Sequence, residues 1–251
     1  MDNFLKIGER IEDLGLKKLK IIQNPDYFCF GMDAVLLSWF VAKHIKGSTD
    51  IIDLGTGTGI IPLLLYGKTN AKSITGLEIQ EPLVEMARRS MAINELSSKI
   101  KILQGDIKAP GEGVLPNHYD VVVSNPPYMR VDAGLKNAEA TKTISRHEIL
   151  CNIEDILIFS KRMLKDRGRL FLVHRPERLG DIISLMREYK IEVKNLQFVY
   201  PSINKQANLL LIEGRKGGRP GLKTEAPLIV YNEEGQYTNQ IYDIYGMKKP
   251  E

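Results

Sequence analysis

Three glycines in five residues, directly after an apolar strand-like run, constrain this chain more than any other feature. Ile51-Ile52-Asp53-Leu54 has strand character, Gly55-Thr56-Gly57-Thr58-Gly59 follows, and a helix begins at Ile60. Glycine lets the backbone turn tightly and pass close to a ligand with no Cβ in the way. Strand, glycine-rich turn and helix is the arrangement that open parallel sheets use for nucleotides. The spacing G-x-G-x-G after an acid departs from the dinucleotide form G-x-G-x-x-G. A plain tight turn does not need three glycines.

The chain then repeats a unit of strand, acid and helix. Ser73 to Leu77 reads as a strand closing on Glu78, roughly 20 residues past the glycine turn, where an acid can accept hydrogen bonds from ribose hydroxyls. Pro82 opens a helix with Leu83, Met86, Ala87, Met91 and Ile93 on its apolar side. Ile100 to Leu103 is a third strand, followed by Gly105-Asp106-Ile107, and Val121 to Val123 a fourth. Residues 150–164 and 176–189 have helical spacing, with Gly168 to Val173 as a strand between them. Val193 to Tyr200 and Ala207 to Glu213 read as a late antiparallel pair at one sheet edge. The expected fold is α/β: a Rossmann-like, mostly parallel seven-stranded sheet with helices on both faces.

The fourth strand ends at Asn125-Pro126-Pro127-Tyr128. Two prolines cannot continue a central strand, and each restricts the residue before it to an extended shape. The result is a stiff platform at a strand's carboxyl end. The Asn125 side-chain oxygen and the Pro126 carbonyl can accept hydrogen bonds from a planar group bearing NH2. Pro127 and Tyr128 offer surface to the ring that carries it, as enzymes do with an unstacked base.

The other segments are read around this core. The 251 residues form a single domain, 43% apolar and 26% charged. Residues 1–40 form an N-terminal extension packing on the core, with Asp33 as the cap of a helix through Ala34, Leu37, Val41 and Ile45. Tyr27, Phe28 and Phe30 before it are core, or a lid over a ligand. Residues 129–149 lack periodicity and form a substrate-side loop carrying Arg146 and His147. Residues 214–251 form a basic turn, Arg215-Lys216-Gly217-Gly218-Arg219-Pro220, and a tyrosine-rich tail. Between 160 and 223 there are 15 Lys/Arg against 6 Asp/Glu, within a net charge of +4. That asymmetry fits a polyanion-facing side or a set of solvated helix faces. Lys205, Arg215, Lys216 and Arg219 are the candidate phosphate contacts. Cys29 and Cys151 lack metal-ligand spacing, so no metal site is expected, and they suggest a reducing compartment. No run of about 18 apolar residues and no signal-peptide core is seen, so neither a membrane span nor export is expected.

Asp53-Leu54-Gly55-Thr56-Gly57-Thr58-Gly59, Glu78, Asp106 and Asn125-Pro126-Pro127-Tyr128 together resemble the class I S-adenosylmethionine-dependent amino-group methyltransferases. The resemblance covers roughly residues 25–215. Phe30-Gly31-Met32-Asp33-Ala34, Arg146-His147-Glu148 and the basic Gly-Arg-Pro turn narrow it to bacterial tRNA1(Val) adenine-37 N6-methyltransferases. It implies S-adenosylmethionine as cofactor, with Asp53 near its methionine amine, Gly55, Gly57 and Gly59 along the methionine and ribose, Glu78 on the ribose, Asp106 on the adenine amine and Ile107 against that ring. It implies Asn125, Pro126 and Tyr128 as catalytic residues. It further implies a tRNA substrate at an anticodon-loop adenine, N6-methyladenosine as product, and a cytoplasmic monomer. Three alternatives stay open: glutamine N5-methylation of release factors, rRNA or DNA amino-methylation, and an S-adenosylmethionine-sensing RNA-binding module without turnover.

Overall fold

The computed structural model describes residues 4–27, 29–128 and 152–249. The expected substrate-side loop at 129–149, with Arg146 and His147, lies outside the described residues. So do Phe28 and Cys151.

A hairpin opens the chain. Strands β1 (Arg10–Asp13) and β2 (Lys20–Gln23) pair antiparallel. Helix α1 (Met32–His44) follows, then β3 (Asp50–Leu54), α2 (Ile60–Lys68), β4 (Ser73–Glu78), α3 (Glu81–Ile93), β5 (Ile100–Gln104) and β6 (Tyr119–Ser124). Helix α4 (Ile153–Met163) leads straight into β7 (Leu164–His174), and a 3-10 turn (Pro176–Arg178) into α5 (Leu179–Glu188). Strands β8 (Ile191–Tyr200) and β9 (Leu209–Lys216), the short β10 (Lys223–Thr224) and β11 (Leu228–Ile229), and α6 (Asn239–Tyr245) complete it.

The main sheet runs β10-β8-β9-β7-β6-β3-β4-β5, with β11 also on β8. The seven expected strands are all present, and the tail adds two short ones, making a nine-stranded sheet. Among the described strands of this sheet, only β9 runs against its neighbours, pairing antiparallel with β7 and β8. Successive side chains on a strand face opposite ways. Ile51, Val121, Val123, Phe171 and Val173 therefore pack with α1, α2 and α3, and Ile52, Leu54, Val122, Leu170 and Leu172 with α4 and α5. Cover on both faces explains why these strands read as continuous apolar runs.

Helix α1 holds the centre of one layer. Leu36, Leu37, Phe40 and Val41 are fully buried, each contributing roughly 2 kcal/mol of apolar burial. Lys43 and His44 lie in its last turn, where positive charge suits the helix dipole. Its N-cap is Gly31, with no side-chain cap bond. Asp33 is thus not the cap, and its carboxylate is directed elsewhere. Helix α4 starts instead with a full capping box, in which Asn152 and Asp155 exchange side-chain and backbone bonds at 2.9 and 3.1 Å.

The chain lays β3, β4 and β5 outward in one direction, then returns to place β6 on the other side of β3. This is the topological switch point, where such sheets open a crevice at the carboxyl ends of the strands. No described helix is long and apolar enough to cross a membrane.

Candidate active site

Strands β3 and β6 end side by side at the switch point. Leu54 pairs with Ser124, and the Ser124 hydroxyl donates to the Leu54 carbonyl at 3.1 Å. The glycine turn and Asn125 therefore leave the sheet as neighbours. Gly55 and Thr56 N–H groups both donate to the Leu77 carbonyl, at 2.9 and 3.1 Å, folding the turn over β4. Gly59 has φ +87°, and a Cβ there would stand 2.8 Å from Met91 Cε. Only glycine meets both demands, a left-handed turn and close packing of α2 on α3.

Three acids line the edge in strand order. Glu78 is buried, its carboxylate accepting N–H bonds from Gly57 at 2.9 Å and from Ile79 and Gln80 at 3.0 Å. It holds the glycine turn and the start of α3 together. Asp106 is half-buried and accepts from the Lys108 N–H at 2.8 Å, which fixes the turn after β5. Ile107 beside it packs towards α4 and lines a groove with Ile158, Phe159 and Met163.

Asp53 differs from both. It is fully buried, and neither carboxylate oxygen finds a hydrogen-bond partner among the described residues. Burial pushes its carboxyl up to about 8. The adjacent Thr56 hydroxyl, not in bonding geometry itself, eases this only in part, and the Glu78 carboxylate adds repulsion. A buried carboxyl without a partner is costly. One at the root of a glycine turn fits a ligand that brings positive charge, as the sulfonium and α-amine of S-adenosylmethionine do. Gly55 and Gly57 present open space where a Cβ would stand. The residues present thus fit this cofactor.

On the β6 side, Asn125 and Tyr128 are half-buried, Pro126 is buried and Pro127 exposed. The Tyr128 hydroxyl lies 2.5 Å from Asp33 Oδ2 and 2.8 Å from Asn125 Oδ1. The Arg175 guanidinium carbon sits over the Tyr128 ring, 4.8 Å from its centroid, and the His174 ring meets it edge-on at 5.3 Å. Burial first, then the Asp33 charge, push the Tyr128 phenol far above its ordinary value, so it stays protonated. Burial pushes His174 down to about 4, helped by the Arg178 charge, and its Nδ1 accepts the Arg175 N–H at 2.8 Å. The imidazole is therefore neutral, with its proton on Nε2. Tyr128, expected to lend a flat face to a target ring, has Arg175 over its ring and its hydroxyl turned into the protein.

Sequence reasoning missed Asp33 as Tyr128's partner, together with Arg175 and His174. It also missed Gln23, whose buried side chain donates to Thr58 Oγ1 at 2.5 Å and accepts from the Phe30 N–H at 3.3 Å. That residue ties the hairpin, the glycine turn and the Phe30-Gly31-Met32-Asp33 segment together. The quoted motif around Asp33 was the one available signal.

The basic residues divide. Lys205 lies in the loop after β8, at the carboxyl edge, and Arg175 donates to Asn208 in the same loop at 2.8 Å. Arg215, Lys216 and Arg219 do not join the site. Strand β9 runs antiparallel, so Arg215 pairs with Arg169 while Leu210 pairs with His174. Lys216 donates to the Leu164 carbonyl at 2.6 Å and to Asn117 at 3.0 Å. These groups lie a strand length, roughly 18 Å, from Asn125. A cavity of about 210 Å³ lined by Lys46, Thr49, Lys165, Arg167 and Arg169 opens at that same far edge, away from the glycine turn.

Known proteins align with this architecture. The methyltransferase small domain family matches residues 19–188. A Porphyromonas gingivalis protein named tRNA1(Val) (adenine(37)-N6)-methyltransferase is 31% identical over 203 residues, covering 79% of this chain and 79% of its own length. A Pedobacter heparinus protein of the same name is 28% identical over 224 residues, covering 89% of this chain and 92% of its own. Among solved structures, a predicted O-methyltransferase of Agrobacterium tumefaciens superposes with a TM-score of 0.69 at 24% identity, over 86% of this chain and 96% of that one. A ribosomal protein L11 methylase of Lactobacillus delbrueckii superposes with a TM-score of 0.55 at 16% identity, over 77% and 83%. At such identities the superpositions speak for the fold alone. The family match spans more than half of the sequence and falls on a sheet whose switch point carries a turn fitted to the cofactor. The chain belongs to the methyltransferase small domain family and is an S-adenosylmethionine-dependent N-methyltransferase.

Proposed function

We propose that the enzyme methylates the exocyclic N6 amine of an unpaired adenine, at position 37 of a tRNA anticodon loop in the cytoplasm. The observation that carries this reading is the Asp33–Tyr128–Asn125 relay beside the glycine turn. A phenol has one proton and cannot serve two acceptors equally. Asp33, a carboxylate at 2.5 Å, is the stronger acceptor. Asn125 then meets the phenol oxygen best through its NH2, an amide orientation that hydrogen bonding decides. That orientation would turn its Oδ1 away from the phenol, so that it and the Pro126 carbonyl could accept both N–H bonds of an incoming amine.

An adenine N6 amine is a poor nucleophile because its lone pair is delocalised into the ring. Two acceptors in fixed positions favour a more tetrahedral nitrogen, with the lone pair aimed at the donor. S-adenosylmethionine supplies a methyl already activated on a sulfonium, so in-line positioning matters more than a strong base. Asp53, Gly55, Gly57, Gly59, Glu78, Asp106 and Ile107 would hold that cofactor. Pro127, Arg146 and Lys205 would meet the substrate near the target, and Arg215, Lys216 and Arg219 would meet phosphates farther along a large RNA. The names of the Porphyromonas and Pedobacter relatives support the tRNA substrate.

The test is transfer of tritium from methyl-labelled S-adenosylmethionine into unmodified tRNA, rRNA, DNA and release factor, followed by mass spectrometry. N6-methyladenosine in one tRNA species is the expected result. Label in glutamine or in rRNA would replace the substrate, and no label in any pool would remove the enzyme reading of Asn125.

A further inference from the structure

The tyrosine-rich tail has no part in the relay, yet the fold brings it to the same edge of the sheet. Strand β11 runs parallel to β8, so the chain after it emerges at the carboxyl edge, and the Tyr231 N–H donates to the Pro201 carbonyl at 2.8 Å. A small hairpin follows. Tyr231 and Tyr237 form an antiparallel bridge, Asn232 and Gln236 close the turn, and Gly235 takes φ +76° within it. The rings of Tyr231 and Tyr237 stack at 5.3 Å and 20°, and those of Tyr237 and Tyr245 at 5.8 Å and 14°. Tyr237, Tyr245 and Tyr128 all pack against one apolar cluster, and Tyr245 lies close enough to Asp33 to feel its charge. The ladder thus runs outward from the Asp33 side of the relay to Tyr231, which is 38% exposed and lies four strand spacings, roughly 19 Å, from β6.

We propose that Tyr231, backed by Tyr237 and Tyr245, is a stacking site for an unpaired nucleobase a few nucleotides along the strand from the methylated adenine. This inference rests on the RNA reading above and adds a second contact to it. One face of Tyr231 rests on Tyr237, so a base has the other face to cover. Stacking on an aromatic ring is tolerant of base identity, because every base has a π-face. The ladder is already assembled, so capture costs little ordering of the protein. A ring serving only the core would be buried, and Tyr231 is not. The next loop along the edge adds Ile203, 64% exposed, and Lys205. An apolar flank and a cation suit the base and backbone of a single strand.

The experiment uses the full chain and a set of anticodon stem-loop RNAs with 2-aminopurine placed singly at successive unpaired positions on both sides of the target adenine. Wild-type protein should quench the fluorophore at one of these positions, a few nucleotides from the target. Tyr231→Ala should lose that quenching and raise KM for the RNA about tenfold, with S-adenosylmethionine affinity unchanged. Tyr231→Trp should restore both. An abasic nucleotide at the quenched position should cost wild-type protein the same factor and cost Tyr231→Ala nothing further. An active wild type whose Tyr231→Ala variant keeps its quenching and KM overturns the stacking site alone. A wild type that methylates no RNA overturns the functional reading and this site with it.

Discussion

Asp50 and Asp53 are three residues apart on the same strand, both buried, and treated in opposite ways. Asp50, at the amino end of β3, accepts from Ser73 Oγ at 2.7 Å and from Lys72 and Lys165 Nζ at 3.3 Å. Lys165 also bonds Asp120, whose carboxylate accepts the Asp50 N–H at 2.8 Å. Burial alone would raise the Asp50 carboxyl, but these donors hold it below its ordinary value. Asp53, at the carboxyl end, has no partner among the described residues and is pushed up to about 8. One end of the strand satisfies its own polar groups and serves stability. The other leaves an unpartnered carboxyl for a ligand to complete. Functional sites are where such local inconsistency concentrates.

The contrast can be broken at either end. The largest effect is expected at Asn125, on the unsatisfied side. Asn125→Ala should lower kcat about 10²- to 10³-fold while leaving S-adenosylmethionine affinity and melting temperature near wild type, because the lost bonds matter most in the transition state. Equal losses in cofactor affinity would show that Asn125 holds the loop instead. Asp50→Ala should do the reverse. It should cost roughly 2 kcal/mol in denaturant unfolding, a modest figure because its lysine partners are partly exposed, and leave kcat unchanged.

Asp53 gives a pH signature. Its folded-state value, about 8, lies above the ordinary 3.8. Its contribution to stability is therefore complete below about pH 4 and declines as pH rises towards 8. A bound cation reverses the preference, so cofactor binding should release a proton and tighten with rising pH, by at most about tenfold per unit up to pH 8. Asp53→Asn should flatten both trends, measured by unfolding and by calorimetric titration in buffers of different ionisation enthalpy. An Asp53 that stays protonated in the complex would show no proton release. The smallest effect is expected at the far edge. Replacing Arg215, Lys216 and Arg219 with Gln should raise KM several-fold for whole tRNA and shallow its salt dependence. A stem-loop too short to reach roughly 18 Å from the target should be unaffected.

Local pattern carried the reading of the sheet. Ile51–Leu54, Ser73–Leu77 and Ile100–Leu103 were legible as strands because burial on both faces demands unbroken apolar runs. β7 was legible only in part. Its first residues, Leu164 to Arg167, are half-polar and continue directly from α4, so they read as helix end and loop until pairing with β6 draws Leu164 to Tyr119. Asp33 was misassigned as a helix cap because capping is a local preference, whereas its actual partner is 95 residues away. The basic residues between 160 and 223 were grouped by proximity in the chain. Antiparallel β9 carries Arg215 and Lys216 to the edge opposite Lys205.

By itself the sequence determined what short-range physics determines: the order of strands and helices, the left-handed turn that only glycines tolerate, the stop that two prolines impose, and an acid at or just past the end of each of three strands. Tertiary structure alone decided which of these groups are satisfied. Asp50 and Asp53 carry the same side chain on the same strand, and nothing in their immediate sequence says that one will meet Ser73 and two lysines while the other meets no partner among the described residues. Hydrogen bonding and burial depend on what strand pairing and helix packing bring from elsewhere in the chain, and those long-range contacts separate a carboxylate that holds the fold together from one set to receive a ligand.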